Sequence, residues 1–223
     1  MALAAEVHTA AQAIATAALA RVEDPPGSKR VRVEDYLTAL GAIAGESAIV
    51  DAGIDIESLD MAPGSALFGD QINEVLTGDS AALGSVPADS VVGILVAQLV
   101  PEVVSLADFG SIEDLYRSVA ASVGKTEWGD VHLSVPEDNL PRIQPMRLAF
   151  ELRSTVEGAC AVAGVKTGER HQACALALAG GLAQVTEAID VKIGLRLALE
   201  VVFGMAKMAP MSRRAFADTA KQN

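Results

Sequence analysis

Aromatic residues are scarce in this chain of 223 residues, where Phe, Tyr and Trp together make up 4%. A core built almost without them must be filled by Ala, Val, Leu and Gly, side chains small enough to let helix backbones approach closely. Cysteine is scarcer still: Cys160 and Cys174 are the two present, each among small apolar neighbours. They read as buried core thiols rather than as a disulfide or a nucleophile, which makes a reducing cytoplasm the expected location. Histidine is limited to His8, His132 and His171, with no two at helical metal-ligand spacing, so a zinc site is not expected. No Gly-x-Ser-x-Gly nucleophile elbow occurs.

Long apolar runs are missing as well. No stretch of about 18 residues is both apolar and uncharged, so no membrane span is expected. The Ala- and Leu-rich N-terminus is interrupted by Glu6, His8, Thr9, Gln12 and Thr16, which argues against a secretory leader. Its spacing instead predicts an amphipathic helix with Val7, Ala11, Ile14 and Ala18 inward.

The longest absence is of positive charge. Residues 34–115 contain no Lys or Arg but fifteen carboxylates, and the chain carries a formal net charge of −12. Such a field disfavours phosphate contacts, and nucleic acid is not an expected partner. From Asp190 onward the balance reverses, with Lys192, Arg196, Lys207, Arg213, Arg214 and Lys221 against Asp190, Glu200 and Asp218. Six minus three leaves +3, so the basic end of one protomer could meet the acidic region of another.

What the chain does contain is apolar periodicity. Half of it, 51%, is apolar, ample for one core without disulfides or metal. Residues 140–208 carry the densest pattern and read as the scaffold: Pro145 suits a first helical turn, Ala149, Leu152 and Val156 recur at helical steps, and Gly164 suits a cap. Two further apolar segments follow between 169 and 208, with a bend expected near Asp190 and a stop before Pro210. The last segment puts Leu195, Leu199, Val202 and Ala206 on one side and Lys192, Arg196 and Glu200 on another.

Upstream, residues 25–30 form a turn, and a helix is expected from Val33 to Asp51, with Glu34 and Asp35 near its positive end. Shorter helices are expected at 65–77, with Phe68, Ile72 and Val75 inward, at 88–99, and from a Ser111/Asp114 capping box to Gly124. Between 125 and 139 the helical period gives way to alternation of Val131, Leu133 and Val135 with His132 and Ser134. With no second strand to pair with it, this segment is expected to be an extended arm near 128–136, anchored by Trp128. The fold class is therefore mostly all-α: one domain over 1–223, a compact bundle of about seven to eight helices, with an acidic helical region at 33–124 and the apolar core at 140–208.

Candidate chemistry is thin. Gly124-Lys125-Thr126 follows a helix and has Val119 where a phosphate loop needs its first Gly, so it reads as a turn. Glu46 stands amid Ala42, Ile43, Ile49 and Val50, and burial there raises its pKa unless a partner compensates, making it the leading candidate acid. His171 is the second catalytic candidate, as a general base at a helix start. The carboxylate-dense loop at 51–64 permits a hard divalent cation without matching a calcium loop, and the candidate metal ligands are Glu46, Asp51, Asp70 and Asn73. No cofactor is required by any motif. The preferred expectation is an interaction or regulatory module acting as a homo-oligomer, a dimer above all. The alternative is an enzyme or small-ligand binder with an acidic pocket and a divalent metal.

Overall fold

The computed structural model of the chain describes residues 3–78, 80, 82–122 and 130–220. Among these residues there are nine α-helices and no strand: α1 Ala5–Arg21, α2 Val33–Asp51, α3 Asp70–Thr77, α4 Val91–Leu99, α5 Ile112–Ser122, α6 Pro145–Ala163, α7 Arg170–Gln184, α8 Val191–Ala206 and α9 Arg213–Ala220. Buried apolar residues from α1 through α8 form one contiguous core. Trp128 and the Gly124-Lys125-Thr126 turn lie outside the described residues.

The helix boundaries follow local chemistry. Pro145 occupies the first turn of α6, where its missing N–H costs nothing, and Gly164 closes that helix at φ 81°. Asp190 begins α8, its carboxylate accepting the Lys192 amide N–H at 2.8 Å, so the bend expected near Asp190 is an N-cap between two helices. Ser90 does the same for α4, accepting from the Gly93 amide at 3.1 Å. The helix expected from residue 88 therefore starts at Val91, because a hydroxyl that satisfies an orphan N–H sets the start more strongly than the preceding Pro87.

Two other segments depart from their sequence pattern. Residues 65–69 are not helical: Ala66 pairs with Met208 in an antiparallel bridge, with the Leu67 amide donating to the Lys207 carbonyl at 2.8 Å and the Ala209 amide to Ser65 at 2.7 Å. Backbone pairing with a distant segment wins over local helical period, α3 begins only at Asp70, and Phe68 is exposed rather than inward. Glu200, expected on the outward face of α8, is buried, since the 131–135 arm lies over it. There the Ser134 amide and hydroxyl donate to its carboxylate at 2.7 and 2.5 Å, and Arg196 donates at 2.6 Å.

The centre of the bundle is α2 rather than the C-terminal helices alone. Every residue from Asp35 to Ile49 is buried, against α6, α7 and α8 around it. Glycine makes this possible. A Cβ on Gly41 would lie 3.1 Å from Val201 Cγ1 of α8, and one on Gly45 only 2.5 Å from the Val202 carbonyl oxygen. With few aromatics to fill gaps, the helices touch backbone to side chain instead.

Gly158 in α6 is the opposite case: it is exposed, and an added Cβ would meet nothing within 4 Å. Gly158→Ala is expected to stabilise the fold by roughly 0.5–1 kcal/mol through helix propensity alone. A shifted urea midpoint at unchanged slope is the readout, and an unchanged or lowered midpoint would contradict an open surface at this position.

Candidate functional site

Most of the polar side chains buried around α2 are bound to a specific partner, Thr38 being the exception, since its Oγ1 has none among the described residues. Glu46 takes two hydrogen bonds from Arg153 of α6, Nε at 2.7 Å and Nη2 at 2.8 Å, with both side chains buried. The same guanidinium donates to the Met211 carbonyl at 2.7 Å and to Glu57 at 3.2 Å. One arginine thus joins α2, α6, the 51–64 loop and the segment leading to α9. A planar fork suits that task, because it meets a carboxylate edge-on while leaving N–H groups for other acceptors.

At the C-terminal end of α2, Asp51 and His171 come together. The Asp51 carboxylate accepts from the His171 backbone amide at 2.7 Å and faces its Nδ1 at 2.8 Å, while Nε2 faces the Asp89 carbonyl oxygen at 2.9 Å. Both ring nitrogens therefore face oxygen acceptors. The dyad fastens the first turn of α7 to α2 and to the turn before α4.

The remaining candidates are scattered. Asp70 is exposed in the first turn of α3. Asn73 presents Oδ1 to the buried Lys207 Nζ, which also lies 5.3 Å from the centre of the Tyr116 ring. Glu46, Asp51, Asp70 and Asn73 thus have four different surroundings. Among the described residues no group of three or more His, Cys, Asp or Glu is placed to hold a metal ion. Cys160 and Cys174 are buried and free, and burial pushes both thiols up, which keeps them protonated and weakly nucleophilic.

Arg153 was missed by the sequence reading, although a signal existed. It lies four residues after Ala149 and three before Val156, inside the apolar stripe of α6, and a guanidinium at such a position calls for a buried carboxylate. Tyr36 was missed for lack of any signal, since a lone Tyr in an apolar helix looks like core. It is buried, yet it helps line the broadest concavity next to α1, a groove of about 580 Å³ between α1 and α7 with Gln98 of α4 at its edge.

Fold and site together define a helical bundle with buried ionic ties, a groove free of Asp, Glu, Lys and Arg between α1 and α7, and a second concavity of about 470 Å³ lined by Arg21, Asp35 and Arg142 among others. Comparison of the chain with protein-family models, with curated proteins and with solved structures gives no significant match. No helix among the described residues is long and apolar enough to cross a membrane.

Proposed function

We propose that the protein is a helical interaction module that works as a homodimer, joined through the outward faces of α1 and α6. The observation carrying this reading is the charge-poor surface that these neighbouring helices present over residues 7–20 of α1 and 154–162 of α6, in a chain of net charge −12. On α1 no Asp, Glu, Lys or Arg occurs between Glu6 and Arg21, and Ala5, Thr9, Ala13 and Ala20 are exposed. On α6, Ser154, Thr155, Gly158 and Ala161 are exposed, and Val162 is 92% exposed. The one charged residue of that stretch, Glu157, is ion-paired with Arg170 and Arg213, each at 3.8 Å.

Two copies of so acidic a chain repel each other, so association is favoured where charge is absent. Interface cores are depleted in charged side chains for this reason and because desolvating them is costly. The oppositely charged ends offer less. Lys192 is bound to Asp108, Arg196 to Glu200, Lys207 to Asn73 and Arg213 to Glu57, all within one chain. Charge complementarity between copies would have to break these contacts first.

Light scattering at tens of micromolar should return about twice the 23.0 kDa of one chain. The Thr9→Glu/Ala13→Glu double variant should return the single-chain mass with its thermal unfolding little changed, since both side chains face outward. A single-chain mass for the unaltered protein would overturn the reading.

A further inference from the structure

The groove between α1 and α7 is, we propose, a binding site for an uncharged small molecule, one with a flat apolar body and an amide- or nucleobase-type edge. Its volume, about 580 Å³, falls in the range of small-molecule sites. None of its lining residues is Asp, Glu, Lys or Arg, although the chain carries 29 acidic and 17 basic residues. Apart from His8, a charged ligand would find no counter-ion there, whereas an uncharged one loses little on entry.

The floor holds the second observation. Tyr36 is 4% exposed and lines the groove, and among the described residues its hydroxyl makes no hydrogen bond. That oxygen is not among the buried atoms left without a partner, so it opens into the groove, where a ligand can take the place of water on it. Burial also pushes the Tyr36 phenol up, so it stays protonated and can both donate and accept. The exposed carboxamides of Gln12, Gln98 and Gln184 line the same groove and offer the paired donor and acceptor that match an amide or nucleobase edge.

The walls leave room for a flat body. Ala11, Ala15 and Ala177 present no more than a methyl each, and a Cβ added to Gly180 would meet nothing within 4 Å. Glycine at 180 is thus not demanded by packing within the protein, unlike Gly181 beside it, where a Cβ would lie 2.5 Å from Leu40 Cδ1. The groove residues His8, Gln12, Thr16 and Leu19 sit on a flank of α1 adjacent to the Thr9 and Ala13 flank, so this site and the dimer surface can be tested separately.

Two-dimensional amide NMR of the full chain, titrated with nicotinamide and with adenine, tests the proposal. Benzoate and adenosine monophosphate serve as charged counterparts of similar ring size. At least one uncharged probe should give saturable shifts at Tyr36, Gly180 and Gly181, with each charged counterpart weaker. Gly180→Leu, which fills open space, should abolish those shifts while leaving the circular dichroism unchanged. Tyr36→Phe should weaken binding roughly fivefold by removing one hydrogen bond. Absence of saturable shifts with both uncharged probes, equal binding of the charged counterparts, or binding unaffected by Gly180→Leu would each overturn it. Should Gly180→Leu fail to fold, unchanged affinity in Tyr36→Phe would do so.

Discussion

Arg153→Met lowers the unfolding free energy by about 3–5 kcal/mol, because it strands the Glu46 carboxylate inside the bundle. The pair is buried on both sides, and the guanidinium makes two hydrogen bonds to Glu46, one to the Met211 carbonyl and one to Glu57. For a domain of ordinary stability, near 5–15 kcal/mol in total, that loss is a large fraction. Most of it is the cost of an uncompensated charge rather than the worth of the pair. The Glu46→Met/Arg153→Met double variant should therefore recover much of the stability, and the double-mutant cycle in urea should show coupling well above 1 kcal/mol. A distinct signature is expected at the C-terminus. Without the bond to Met211, residues 211–220 should gain proteolytic sensitivity in both variants, because the segment loses one of its ties and keeps the Arg213 contacts to Glu57 and Glu157 and the stacking of Phe216 on Phe150. If Arg153→Met alone costs less than about 1 kcal/mol, the pair is not buried in solution as described.

Gly45→Ala is the second large effect, expected to cost about 1–3 kcal/mol despite the better helix propensity of alanine. Its Cβ would lie 2.5 Å from the Val202 carbonyl oxygen and 2.8 Å from Met205 Cβ. The first neighbour is helix backbone and cannot rotate away, so α2 and α8 must separate. Separation opens space along the rest of their contact, in a core with few large side chains available to refill it. Since Gly158→Ala makes the same chemical change on an open surface, the two variants together isolate packing from propensity. Denaturation midpoints moving in opposite directions are the expected result. A stabilised Gly45→Ala would mean that α2 and α8 lie further apart than described.

Much of this architecture was legible in the chain. The spacing of Val7, Ala11, Ile14 and Ala18, the run from Val33 to Asp51, Pro145 with Gly164, and the break at Asp190 predict α1, α2, α6, α7 and α8 because period and capping are local. Where distant segments compete, local reading fails. Residues 64–67 pair with 207–209 instead of extending α3, and Glu200 is buried by an arm about 66 positions away in sequence. The basic α9 segment, Arg213–Ala220, carries little apolar pattern, and its start is held by the Arg213 amide donating to Glu57 at 2.9 Å.

The candidate residues divide along the same line. That Glu46 has an apolar setting follows from its neighbours in sequence; that Arg153 neutralises it depends on α6 crossing α2, which no spacing encodes. Asp51 and His171, 120 positions apart, meet because α7 packs on α2. The groove beside Tyr36 exists only because α1 and α7 leave a gap there. Composition and periodicity by themselves determined an aromatic-poor, acidic, all-helical chain, since those properties are sums over residues or repeats along one helix. Which carboxylate is paired, which glycine is a contact and where the surface is concave were decided by tertiary packing, since each requires two remote backbones to be held within a few ångströms of one another.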